Sequence, residues 1–206
     1  MTTFLHVILV VIGYLIGSLN SAILVSGLYK KDIREEGSKN AGLTNVLRVL
    51  GKKAAILVLV SDMLKGVITT GLGYLLIKDS LSGALVAGIF TIIGHIFPIF
   101  FSFKGGKGIL LSLAVILMTD WKIALIGLAI FIIIVSLTRY VSLGSIIAIF
   151  CAPLLAWLFN HTAFFIISMG FLAALTIFMH RGNIKRLING TENKLSFKKT
   201  GNGESK

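Results

Sequence analysis

GSKNAGLTNVLR, residues 37–48, is a polar, glycine-punctuated stretch set between two long apolar runs. Irregular backbone of this kind is not tolerated facing the hydrocarbon of a bilayer, so it closes one apolar run and opens the next. The flanking runs cover residues 4–28 and 54–77. At the helical rise per residue, about 25 residues reach ~37 Å, enough to cross a bilayer with tilt. Two further polar islands, FKGGKG at 103–108 and HRGNIKRLINGTE at 180–192, punctuate the chain in the same way. Their composition predicts that all three meet at one membrane face and form a phosphate-binding site.

The rest of the composition agrees. Of 206 residues, 56% are hydrophobic and only 14% charged, far from the balance of a soluble domain. Apolar blocks of helical length, rather than alternating strands, predict an all-α integral membrane protein. Further spans fall at 81–102, 108–119, 122–138, 141–159 and 162–179, giving a bundle of about seven transmembrane helices. The dense basic loop at 29–53 belongs in the cytoplasm, which puts the N-terminus outside and the C-terminus inside. Alternation then places Lys104, Lys107, Arg139 and the basic tail inside, and only Lys78 and Lys122 outside. Trp121 and Trp157 fall at outer ends, Tyr29 and Tyr140 at inner ends, as an aromatic belt requires. The 108–119 segment covers only ~18 Å of a ~30 Å core, so it is either re-entrant or extended through Gly105 and Trp121. Residues 1–192 read as a single domain and 193–206 as a disordered basic cytoplasmic tail.

The formal charge of +12 does not imply nucleic-acid binding, because the cations sit in joints beside apolar spans with no groove-reading motif. Cys151 stands alone in an apolar run, which excludes an intrachain disulfide and offers no metal-site spacing. The N-terminus lacks a basic region ahead of its first apolar run, so the first span is expected to remain uncleaved.

Within the islands, Ser38, Asn40, Thr44 and Asn45, with Gly37 and Gly42, supply small hydrogen-bonding groups and open backbone amides that suit an anion. A helix beginning near Thr44 would add its N-terminal N–H groups, with Arg48 one turn on as a planar, phosphate-matching fork. An ordinary basic loop with a helix cap is the alternative. In FKGGKG, two glycines permit close backbone approach while Lys104 and Lys107 supply charge, although Walker A spacing is absent. A lysine pair serving only topology is the alternative there. Asp62 and Lys65, three apart inside a span, must pair or face the bundle interior, as a structural ion pair or as part of the site. His95 in GHIFP is open between packing and chemistry. His180 and Asn183 share a helix face and point toward the same pocket, where an imidazole can position or deprotonate a hydroxyl. Ser142 and Ser145 begin the sixth span and can cap it or meet phosphate. His6 and His161 fall outside and receive no role.

With these residues in hand, the chain resembles the bacterial acyl-phosphate-dependent glycerol-3-phosphate acyltransferase family over almost its whole length. GSKNAGLTNVLRVLGKKA is similar to the family's GSGNIGATNVLR followed by GKKA. DMLKG at 62–66, GHIFPIFFSFKGGKG at 94–108, RYVSLGSI at 139–146 and HRGNIKRLINGTE complete the order. The resemblance implies transfer of a fatty acyl group from acyl phosphate to the 1-hydroxyl of glycerol 3-phosphate in a bacterial plasma membrane, with the site facing the cytoplasm. Lysophosphatidic acid and inorganic phosphate are the products, membrane lipids surround the enzyme, and no cofactor or metal is implied. Carried onto matching positions, Ser38, Asn40, Gly42, Thr44, Asn45 and Gly106 hold acyl phosphate. Arg48, Lys104, Lys107 and Ser145 bind phosphate of the acceptor, and His180 and Asn183 orient its hydroxyls. His180, Lys107 and Arg48 are the expected catalytic groups. An acyl phosphate carries a good leaving group and no Ser–His–Asp constellation is present, so direct attack without an acyl-enzyme is expected, the proton going to His180 or to the donor's phosphate.

The chain departs from the family pattern at Lys39 and Leu43, which replace small residues, at Ile109–Leu111, which replace Val-Ala-Thr, and at Gly182, which replaces a Glu. GSLNSA at 17–22 lacks the family's proline. These departures admit a paralogue with altered activity, and polar islands in a helical bundle also admit a carrier or binding protein for a phosphorylated metabolite.

Overall fold

A computed structural model describes residues 2–78 and 80–195. Ten α-helices and one short 3₁₀ turn make up the regular structure of these residues. They are α1 (Thr2–Ser18), α2 (Ser21–Leu28), α3 (Leu43–Leu50), α4 (Lys52–Leu76) and α5 (Ser80–Ile96), followed by the 3₁₀ turn Ile99–Phe101. Then come α6 (Ile109–Thr119), α7 (Trp121–Thr138), α8 (Val141–Leu158), α9 (Ala163–Met179) and α10 (Arg181–Ile188).

Large apolar side chains cover the outside: Leu28, Leu75, Leu137 and Ile188 are each at least 78% exposed. Water would not support that surface, whereas lipid does. Five segments are long and apolar enough to span, and α9 joins them if its 60° bend into α10 counts as one broken span. The remaining apolar helix, α6, has 11 residues, so the expected bundle of about seven contains one short member. Its far end still crosses the bundle: Tyr74 Oη, near the end of α4, donates to Met118 O at 3.2 Å. The stretch 104–108 ahead of α6 is not helical, and Gly108 caps α6 in a left-handed conformation, φ 82°.

The first span differs from its expected continuous form. It breaks at Leu19–Asn20, where Asn20 caps α2 by accepting from Ile23 N at 3.1 Å. The family's proline is missing, and the asparagine side chain ends one helix and starts the next by hydrogen bonding instead. α1 packs along α5 at very short range because Gly13 and Gly17 lie on the contact. A Cβ at Gly13 would fall 2.6 Å from Ala87 O, and one at Gly17 would strike Thr91 O. Small residues four apart are how membrane helices bring backbones together.

One apolar core, including Leu85, Ile92, Leu111, Val115, Phe165 and Met169, joins α5, α6 and α9. A second, including Ala22, Ile33, Val46 and Val58, seats α2, α3 and the first polar island on α4. Both cores anchor helices whose ends carry the islands. At the opposite end, Asp120 caps α7 and meets His161 Nε2 at 2.7 Å, tying the α6–α7 and α8–α9 turns together. Residues 196–206, most of the expected tail, lie outside the described residues. Residues 193–195 run back along the protein, where Leu195 N donates to Arg139 O at 2.7 Å.

Candidate active site

The three islands converge. A cavity of about 390 Å³ is lined by Ser38, Asn40, Thr44 and Arg48 from the first, Lys107 and Gly108 from the second, and His180, Asn183 and Glu192 from the third. Ser142 and Ser145 on α8 close its wall. The lining then turns apolar, through Leu113 and Ile116 on α6, Gly127 and Phe131 on α7, and Ala148 and Ala152 on α8. One end is built for charged groups and the other for hydrocarbon.

The first island is held by Asn45, which is 1% exposed. Its Oδ1 accepts from Ser38 N at 2.8 Å, and its Nδ2 donates to Ile33 O and Glu36 O at 3.0 and 2.9 Å. Its amide shapes the loop around Ser38, and the residue also lines the cavity. α3 begins at Leu43 with Gly42 as N-cap, so Thr44 and the first amides of that helix face the cavity as the helix-terminus argument requires. Arg48 is exposed at the mouth. Arg34 Nη1 donates to Phe101 O at 3.2 Å, which joins the loop ahead of the first island to the 3₁₀ turn ahead of the second.

In the second island, Lys107 enters the cavity and Lys104 does not; Lys104 is exposed outside it. Gly106 is buried behind the lining rather than in it. The ammonium of Lys107 donates to Asn183 Oδ1. Burial lowers the Lys107 pKa to about 8, with Glu192 opposing and Arg186 reinforcing the shift.

Glu192 organises the third island. Its side chain, 6% exposed, accepts from Ser142 Oγ at 2.8 Å, Asn183 Nδ2 at 2.7 Å and Arg186 Nε at 2.7 Å. Burial pushes its carboxyl up, but the hydrogen bonds from Asn183, Ser142 and Arg186 outweigh it and hold the group below the usual range. Within the HRGNIKRLINGTE island, sequence reasoning assigned substrate contacts to His180 and Asn183 and none to Glu192 or Arg186. The available signal was that Glu192 is the sole acid in the cation-rich run 181–199. Ser145 Oγ donates to Val141 O at 2.9 Å, leaving its lone pairs toward the cavity it lines. His180 is 3% exposed and its Nδ1 lies 2.8 Å from Thr176 O. A carbonyl can only accept, so Nδ1 carries the proton and Nε2 of the neutral ring is left as an acceptor.

Fold and site define an α-helical integral membrane protein with a cationic chamber at one end of its bundle and an apolar groove leading away from it. The family described as glycerol-3-phosphate acyltransferase matches residues 7–190. A glycerol-3-phosphate acyltransferase of Thermoanaerobacter pseudethanolicus is 48% identical over 194 residues, covering 93% of this chain and 96% of the relative. One from Clostridioides difficile is 40% identical over 204 residues, covering 97% and 100%. The solved structure of PlsY, an integral membrane glycerol 3-phosphate acyltransferase, in its glycerol 3-phosphate form superimposes with a TM-score of 0.88 at 34% identity. That match covers 93% of this chain and 96% of the other. The chain belongs to the glycerol-3-phosphate acyltransferase family, whose members are membrane acyltransferases.

Proposed function

We propose that this protein transfers a fatty acyl group from acyl phosphate to the 1-hydroxyl of glycerol 3-phosphate at the cytoplasmic face of a bacterial plasma membrane. The observation that carries the reading is a single cavity that joins Lys107, Arg48 and the α3 N-terminus to an apolar groove between α6, α7 and α8. Each substrate has a phosphate and the donor has a long apolar chain, so both halves of the cavity have an occupant. The solved relatives include a glycerol 3-phosphate form and a lysophosphatidic acid form, which fit an acceptor and its acylated product. α7 buries only Ile123 and Ala124, so the groove it borders runs beside lipid, where the acyl chain resides.

In this reading Ser38, Asn40, Thr44 and the amides around Gly42 hold the donor phosphate, with Arg48 at the mouth. Arg48, Lys107 and Ser145 hold the acceptor phosphate, and Asn183 and His180 orient its hydroxyls, with Nε2 of His180 taking the 1-hydroxyl as hydrogen-bond partner. The hydroxyl oxygen attacks the carbonyl carbon, the bond from that carbon to the phosphate oxygen breaks, and inorganic phosphate leaves. The hydroxyl proton has two available acceptors, His180 Nε2 and the departing phosphate. Positioning and charge neutralisation do most of the work, because the mixed anhydride is already activated.

The test is phosphate release from palmitoyl phosphate by purified protein, with and without glycerol 3-phosphate, beside an Arg48→Ala/Lys107→Ala double variant. Release that needs the acceptor, yields lysophosphatidic acid and disappears in the variant is expected. Uptake of glycerol 3-phosphate into liposomes without product would establish the carrier reading instead; the apolar lining of the cavity's far half argues against it.

A further inference from the structure

On the inner wall of the cavity lies a nearly buried polar cluster that the acyl-transfer reading does not use. Asp62 on α4 and His95 at the end of α5 are 2% and 4% exposed. Asp62 Oδ1 lies 2.9 Å from Lys65 Nζ and 3.8 Å from His95 Nδ1, and neither Oδ1 nor Nδ1 makes a directed hydrogen bond. Lys65 Nζ also donates to Leu19 O at 2.8 Å, at the break between α1 and α2. From the same break, Asn20 Nδ2 donates to His95 O at 3.3 Å. The cluster thus joins the broken first span, α4 and α5.

Its other side is the glycine-rich island. His95 O accepts from Gly106 N at 3.1 Å, and Ile96 O accepts from Gly105 N at 3.2 Å. The imidazole lies directly on Gly106: a Cβ there would strike His95 Nε2 and, at 2.6 Å, Ala41 O of the first island. Gly106 is therefore clamped between the His95 ring and the first island, one residue before Lys107. An ion pair buried inside a membrane bundle is costly and persists where a specific arrangement needs it.

Building on the proposed phosphate site, we infer that Asp62 and His95 are positioning residues for Lys107: the carboxylate, held by Lys65, packs beside the imidazole, and the imidazole braces the Gly105–Gly108 backbone so that the ammonium faces the acceptor phosphate. Neither residue needs to touch substrate. The same brace sets the spacing between the first and second islands, which hold the two phosphates.

The experiment uses the full chain in detergent micelles, with inorganic phosphate as the probe and the labelling rate of Lys107 by an amine-acylating reagent as the readout. Thermal unfolding and separate kcat and KM values for glycerol 3-phosphate accompany it. In the wild type, phosphate slows labelling of Lys107. His95→Ala and Asp62→Asn, compared as folded proteins, should lose that protection and raise KM for glycerol 3-phosphate at least tenfold. His95→Gln, which returns a polar group of similar reach against Gly106, should recover part of both. Wild-type protection and kinetics in the folded variants overturn the inference, as does a lowered unfolding temperature with no change in either readout. Lost activity with protection retained also overturns it, because His95 would then act on the substrate rather than through Lys107. Absence of protection in the wild type overturns the phosphate-site reading as well, so the two failures are told apart.

Discussion

The ammonium of Lys107 donates a hydrogen bond to the amide oxygen of Asn183, 76 residues further along the chain. The amide nitrogen of Asn183 donates in turn to Glu192. A cation that would repel the neighbouring Arg186 is thereby held in a buried pocket without direct contact with the carboxylate that organises it. This leaves the Lys107 charge available for a phosphate.

Binding of the acceptor should weaken as pH rises through about 8, the value to which burial lowers Lys107. Only the protonated amine attracts phosphate, so KM for glycerol 3-phosphate should climb by up to about tenfold per pH unit above that point. The stability consequence has the opposite sense. Between pH about 8 and the ordinary lysine value of 10.5, the unfolded chain binds more protons than the folded one, so stability rises with pH. Thermal unfolding measured across that window, with Lys107→Met as the reference that removes the slope, checks both.

Glu192→Gln should be among the most damaging single changes. It replaces an ionised acceptor of three hydrogen bonds, from Ser142, Asn183 and Arg186, by a neutral amide with one oxygen. A loss of about 3 kcal/mol follows from hydrogen bonds to a charged group and the arginine left unpaired. Chemical unfolding in detergent measures it, and an effect under 1 kcal/mol would contradict the organising role.

Arg48→Ala should behave in the opposite manner. Arg48 is exposed, and no hydrogen bond or ion pair holds it among the described residues. Stability should change by less than about 0.5 kcal/mol. Acyl transfer should fall at least tenfold through loss of the phosphate fork. Unchanged kinetics would remove Arg48 from the site.

Lys39 occupies a left-handed conformation, φ 58°, at a position where the family pattern has glycine. Lys39→Gly should stabilise the first island by about 1 kcal/mol, since the Cβ pays a steric penalty in that region. A higher unfolding temperature with activity retained is the expected result; a lower one would show that the lysine side chain contributes more than its backbone costs.

His180→Gln separates the two proton acceptors. If the imidazole takes the proton, kcat should fall on the order of a hundredfold or more. If the departing phosphate takes it, the amide still orients the hydroxyl and the loss should be smaller and concentrated in KM. Single-turnover rates at saturating acceptor distinguish these outcomes.

How much could be read beforehand follows from the kind of signal each feature leaves. Length and hydropathy located the apolar segments closely, because the bilayer selects for continuous apolar runs whatever the packing. α8 and α9 fall within one residue of the expected spans at each end. The break at Leu19–Asn20 left no such mark, because polar Asn20 inside an apolar run is equally consistent with a continuous helix. In the islands, residue type raised the expectation of anion binding, yet type alone could not separate Lys107 inside the cavity from exposed Lys104 three residues earlier.

By itself the sequence determined an all-α membrane protein with three polar, glycine-bearing islands, since these follow from hydrophobicity and from which side chains hydrogen-bond to anions. Tertiary structure alone decided which polar groups face the cavity and which hold the frame. Asn45 closes its own loop, Glu192 folds back to meet Ser142 fifty positions earlier, and His95 bears on Gly106. Those assignments depend on directed contacts of a few ångströms between segments far apart in the chain, and such contacts leave no periodicity in the sequence that carries them.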